Sequence, residues 1–263
     1  MKRFLITAAT LAAASLFAAG SPAVAQDSGD TRVRVGLGAQ VRPEFVGADK
    51  SEVAPLFDLD IARAGNEFGF EAPDYSFGIP VISSGGFSFG PAANIVPSRK
   101  ESDVGAPVGK VKTTIEAGAF ADYEVSKSFY LRAEALKGLD GHKGVVGTLG
   151  GDYVWRDGDK YVFSVGPRLL LSDSRYQRAY FGVTPAAALA SGLPIYRPSG
   201  GVHGVAMASG ISYQLSNTIG LFGYGRAERL VGDARKSPII REFGSRNQLS
   251  AGLGLNYTFT FKP

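Results

Sequence analysis

The sequence predicts an all-β fold: a transmembrane antiparallel β-barrel of about twelve strands, with a short helix in one long loop. Three observations lead there. Apolar and polar residues alternate with a period of two along most of the 263 residues. Short turns alternate with long links along the chain. The chain also opens with an export signal. Period-two alternation is the mark of a strand with two different faces. Short turns at one end, long loops at the other and an even strand number are the layout of an outer-membrane barrel.

At the start, Lys2 and Arg3 precede an apolar run from Phe4 to Ala19, and Ala23-Val24-Ala25 is a small-x-small cleavage site. This is the pattern of a secretory signal peptide, cleaved after Ala25. The expected organisation is a cleaved signal at 1–25 and a barrel domain at 26–263. No later stretch approaches the ~20 consecutive apolar residues of a membrane helix.

The mature chain reads as strands near 31–40, 52–62, 66–72, 75–82, 86–96, 111–124, 128–137, 145–156, 160–171, 201–215, 217–230 and 246–261. In "VKTTIEAGAFADYEV", Val111, Ile115, Ala119 and Tyr123 share one face, while Lys112, Glu116, Phe120 and Asp122 share the other. The segments 66–72 and 75–82 are short and split by Pro73-Asp74, and Pro80 and Pro91 argue against clean central strands there. Tight turns fall at 64–66, 83–85, 126–128, 156–159 and 216–217. The long links are 41–51, 97–110, 138–144, 172–200 and 231–245.

Lipid cannot satisfy backbone N–H and C=O groups, so only helices and closed barrels span it. A soluble β-sandwich or lipocalin-like barrel shares the alternation, with its faces reversed. Two features favour the membrane. Several strands exceed the ~5–6 residues typical of soluble proteins. Strand ends are also rich in aromatics, such as Tyr123, Phe129, Tyr153, Trp155, Tyr161, Phe163, Tyr257, Phe259 and Phe261, which resemble interface girdles.

The outward face would then meet outer-membrane lipid and lipopolysaccharide. The lumen would hold Arg32, Arg34, Lys112, Glu116, Asp122, Arg132, Glu134, Asp152, Arg168, Arg226 and Glu228. Charges of both signs can pair and fill a narrow barrel, or line a water path. Asp58 and Asp60 lie two residues apart on one strand and so face one way; the pair could bind a cation, but reads better as part of the same charged lining.

Within the longest link, "YFGVTPAAALASGLPIY" spells a capped helix. Thr184 suits the N-cap. Pro185 suits the first helical position, and Gly192 a left-handed stop. Such a helix at the long-loop end would cover or constrict the barrel mouth as a lid.

Composition excludes several chemistries. There is no cysteine, hence no disulfide, thiol catalysis or cysteine-based zinc site. The two histidines, His142 and His203, stand in no nucleophile motif. "TLGGD" and "GLGLN" precede no helix and so are not phosphate loops. The net charge of +4 is spread along the chain, which argues against a nucleic-acid partner. We expect no catalytic residue, no cofactor and no metal.

The C-terminal wording "YFGVTPAAALASGLPIYRPSGGV" and "RLVGDARKSPIIREFGSRNQLSAGLGLNYTF" resembles the family of MltA-interacting protein (MipA) and OmpV. The N-terminal "GLGAQVRPEFVGADKSEVAPLFDLDI" is similar to that family's opening strand and its P-x-Y-x-G-S-D loop, with Phe45 and Ala48 in place of the tyrosine and serine. "GHKG" at 141–144 is similar too. The resemblance covers most of 31–261. It implies an outer-membrane barrel acting as a scaffold that links a murein lytic transglycosylase to a penicillin-binding protein. A small porin-like channel with a charged lumen is the alternative, and an outer-membrane lipid hydrolase a remote one. The family brings no catalytic residues.

Overall fold

The computed structural model describes residues 30–262. The signal peptide and its cleavage after Ala25 lie outside the described residues.

Ten long strands make the wall: β1 (Thr31–Pro43), β2 (Ser51–Arg63), β5 (Phe87–Val96), β6 (Thr114–Ser126), β7 (Phe129–Gly138), β8 (Val145–Asp157), β9 (Tyr161–Ser172), β10 (Gly201–Gln214), β11 (Ile219–Leu230) and β12 (Asn247–Phe261). Two short pieces, β3 (Phe77–Gly78) and β4 (Ile82–Ser84), both pair with β5. The sheet order is β2-β1-β12-β11-β10-β9-β8-β7-β6-β5-β3, antiparallel throughout, and the sheet curls into a barrel. β1 meets β12 over the register Thr31↔Phe261 to Val41↔Ala251.

The outer surface is apolar. Val35, Leu37, Leu59, Ile61, Leu253 and Leu255 are all exposed on it. Most of its aromatics gather at the tight-turn end: Phe87, Tyr123, Phe129, Tyr153, Trp155, Tyr161, Phe163, Tyr213, Tyr257, Phe259 and Phe261. They are cross-strand neighbours, as in Phe87↔Tyr123, Phe129↔Tyr153, Trp155↔Phe163 and Tyr161↔Tyr213. The long-loop rim carries aliphatics instead, namely Val41, Val53, Ile95, Ile115 and Leu249. Aromatic rings settle at a headgroup boundary, so the girdle marks one membrane surface at the turn end. Among the described residues, no helix is long and apolar enough to cross a membrane.

One stretch departs from the sequence reading. Residues 66–72 are not a strand, and 75–82 is only partly one. After the turn at Ala64–Asn66 the chain enters the lumen and climbs inside it to Ser76. It returns as a strip over 77–84 beside β5. Ile79 N–H donates to the Pro91 carbonyl and Val81 N–H to the Phe89 carbonyl, so β3 and β4 form one edge strand. The pairing shifts by one residue between Gly78↔Ala92 and Ile82↔Phe89. Pro80, with no N–H to give, sits at the bulge. β2 and the 77–84 strip both run towards the turn end, and among the described residues no backbone pairing joins them.

Candidate functional site: the plugged lumen and its loop cap

The segment 66–76 is held in the lumen by the charged faces of the wall strands. At the turn end, the Phe68 ring lies under the guanidinium groups of Arg32 and Arg34, at 4.4 and 4.5 Å. Its N–H donates to Asp159 and its carbonyl accepts from Arg156, both at 2.9 Å. Midway, Phe70 packs on Tyr130 and Glu71 faces Arg132 at 3.8 Å. Higher up, Asp74 takes both Arg168 of β9 at 2.9 Å and Arg226 of β11 at 3.2 Å. Tyr75 donates its hydroxyl proton to Asp152 at 2.8 Å, and its ring lies beneath Arg132 and Arg168. Ser76 donates to Glu134 and its carbonyl accepts from Arg132.

The wall is cut to fit this plug. A Cβ on Gly210 would sit 2.8 Å from the Pro73 ring, and one on Gly150 would collide with the Tyr75 hydroxyl. Both glycines stand where the plug crosses closest to a strand.

The charges read as lumenal from the sequence are placed as follows. Arg32 donates to Asp159 at 2.7 Å and to the Asn66 carbonyl. Arg34 donates to Asp60 at 2.9 Å and lies 3.7 Å from Asp58. Arg132 pairs with Asp122 at 3.1 Å and Glu134 at 3.3 Å. Arg168 pairs with Asp152 at 2.9 Å, and Arg226 with Glu228 at 2.8 Å. Glu116 accepts from His142 at 2.9 Å. Lys112 stands apart, exposed in the segment before β6 and short of the barrel interior. The β6 inward face begins at Thr114, which is buried. Buried ions survive in a low-dielectric interior only when paired and hydrogen-bonded, and this lumen supplies a partner to each.

The long loops form a cap with its own apolar core. It contains α1 (Glu101–Val104), α2 (Ser174–Phe181), α3 (Pro185–Ser191), a 3-10 turn (Ala234–Lys236) and α4 (Pro238–Phe243). In α3, the Thr184 hydroxyl accepts from the Ala187 N–H at 3.2 Å, Pro185 opens the helix, and Gly192 ends it at φ 75°. The sequence reading missed α1, α2 and α4; Asp173 caps α2 through the Tyr176 N–H at 2.8 Å. Two apolar clusters knit the loops together. One joins Phe45, Val104, Val183, Leu193 and Ile239, and the other joins Tyr176, Tyr180, Phe181, Leu230 and Ile240. Arg99 is buried between them and donates to the Tyr180 carbonyl at 2.7 Å and the Gly109 carbonyl at 2.9 Å. Burial pushes its pKa down to about 10 and that of Tyr180 up to about 12. The Ser199 hydroxyl donates to Asp233 at 2.7 Å and holds that carboxyl below its usual pKa.

Both histidines sit under α2. His142 Nδ1 accepts from the Gly144 N–H, so its Nε2 carries the proton given to Glu116. His203 Nδ1 lies 3.0 Å from the Ser172 hydroxyl. Tyr176 packs on both rings, at 4.9 and 5.3 Å. A chamber of about 210 Å³ separates plug from cap, bounded by Asp74 and Tyr75 below and Tyr176 above. A second cavity of about 430 Å³ lies lower, among the plug, β2 and the β9–β11 wall.

Sequence reasoning missed the plug residues Phe68, Asp74 and Tyr75, the cap residue Arg99 and the Glu116–His142 pair. One signal was present: Pro73-Asp74 breaks a segment that otherwise resembles strand.

Residues 35–259 match the model of a family described as MltA-interacting protein MipA. No curated protein sequence matches the chain. Among solved structures, the chain is similar to an outer membrane channel of Pseudomonas putida F1, at 10% identity over 89% of this chain and 97% of that one, TM-score 0.43. It is similar to the outer membrane channel DcaP of Acinetobacter baumannii, at 10% identity over 88% and 97%, TM-score 0.39. It is also similar to the outer membrane protease OmpT of Escherichia coli, at 10% identity over 90% and 99%, TM-score 0.30.

Proposed function

The chain belongs to the MipA family of outer-membrane barrels, and from that premise we propose that it is a sealed scaffold of the envelope and not an open pore. The observation that carries this reading is the 66–76 plug, tied to β7, β9 and β11 by ion pairs, to β8 by the Tyr75–Asp152 hydrogen bond and to β1 by Arg32 and Arg34 over the Phe68 ring. A solute path would have to displace Asp74 from two arginines at once. The cap closes the same axis a second time.

The family's description names a murein transglycosylase as partner, and the turn end is the face a periplasmic enzyme would meet. That face offers the turns at Gly85–Gly86, Lys127–Ser128, Gly158–Lys160 and Ser216–Thr218, beneath the aromatic girdle. A stable contact needs about 800 Å² per partner, so several turns must act together. A penicillin-binding protein would be held through the same transglycosylase or a neighbouring turn.

The test is photocrosslinking in intact envelopes. A crosslinker at Lys127 or Lys160 should capture a murein transglycosylase, while one at Leu189 on the cap should not. Capture from the cap alone, or none from any turn, would overturn the scaffold reading.

A further inference from the structure

Between β2 and the 77–84 strip the sheet has no backbone pairing among the described residues. The 430 Å³ cavity lies behind that seam. Its boundary includes Leu56 to Asp60 on the β2 side and Phe77 on the opposite side. Phe57 and Phe77 are exposed at the two lips.

Its interior has a definite chemistry. Phe68 and Phe70 of the plug and Phe222 and Tyr224 of β11 supply aromatic surface. The two arginines of the lining are already engaged: Arg34 by Asp60, and Arg156 by the Phe68 carbonyl and Asp159. Two carboxylates keep free capacity. Asp58 has one buried oxygen with no hydrogen-bond partner, and its ion pair to Arg34 is a loose 3.7 Å. Glu71 is 40% exposed and stands 3.8 Å from Arg132. Aromatic faces and under-used carboxylates together attract a cation with an apolar body. Pockets of ~300–1,000 Å³ are of a size to bury a small organic molecule.

We propose that this cavity binds hydrophobic organic monocations. The site is separate from the scaffold surface at the turns.

Tetraphenylphosphonium and tetraphenylborate are near-identical in shape and opposite in charge, which makes them the probes. Titration calorimetry of the refolded chain in detergent, against micelles alone, should show one tetraphenylphosphonium bound per chain and no tetraphenylborate. Asp58→Asn combined with Glu71→Gln should weaken binding at least tenfold, with heat-modifiable gel mobility retained. If that double variant fails to fold, the two single variants are measured, with a loss of about threefold expected for each. Equal binding of both probes, or full binding by the charge-free variants, would overturn the proposal.

Discussion

The segment inside the lumen and the loop cap above it are held by opposite physics. The plug sits in a polar interior and is held by arginine–carboxylate pairs, two of them converging on Asp74. The cap sits above the wall strands and is held by apolar packing around Phe181, Leu230 and Ile240, all almost wholly buried. A buried ion pair is costly to break by removing one partner, because the other charge is left behind. An apolar cluster loses stability in proportion to the volume removed. Each closure should therefore respond to a different kind of substitution, and the barrel wall should tolerate both.

The largest effect is expected at Asp74. Asp74→Ala strips Arg168 of one of two carboxylates and Arg226 of one of two. It should cost about 3–5 kcal/mol, read as lower thermal stability in detergent, and should release the plug enough to give ion current. Phe181→Ala comes next. It should weaken the cap by about 3–5 kcal/mol and expose residues 173–200 to protease, with no current, because the plug remains. Current from Phe181→Ala and none from Asp74→Ala would reverse the roles of the two regions.

A smaller effect tests the fit between plug and wall. Gly210→Ala places a methyl against the Pro73 ring and should cost about 1–3 kcal/mol as overpacking, measurable as a lowered unfolding temperature. Thr184→Ala removes only the α3 N-cap bond. It should cost about 1 kcal/mol, seen as faster hydrogen exchange over 185–191. Deleting 184–192 should leave conductance unchanged, which would make α3 a cover and not a gate.

The smallest effect concerns the Ser199–Asp233 clasp. Its carboxyl titrates below the ordinary value in the folded cap, chiefly through the Ser199 hydroxyl. The clasp is therefore complete above about pH 4 and lost as pH falls through the lowered value. Ser199→Ala should bring the Asp233 titration back up, as followed by NMR.

The wall was legible because alternation reports a two-sided environment. Every long strand was placed within three residues at either end, from "RVRVGLGAQ" to "NQLSAGLGLNYTFTF". The α3 caps were legible because Thr-Pro and Gly act locally. The plug was not, because its residues are set by partners far along the chain, such as Asp74 with Arg168 and Arg226. Phe68 to Ala72 also carries the apolar residues of a short strand. The lumenal charges were readable as one face, but their pairing was not, since two faces of a curled sheet meet only in three dimensions. Lys112 was assigned by extending the β6 alternation two residues beyond its first inward residue, Thr114. Helix α2 escaped notice because "SRYQRAYF" lacks the alanine run that marks α3.

The central claim is that the 66–76 segment seals the lumen. Single-channel recording of the refolded chain in a planar bilayer tests it most directly, alongside Asp74→Ala combined with Tyr75→Ala. The folded wild-type barrel should be electrically silent and the double variant should give discrete steps. Reproducible steps from the folded wild type would contradict the claim.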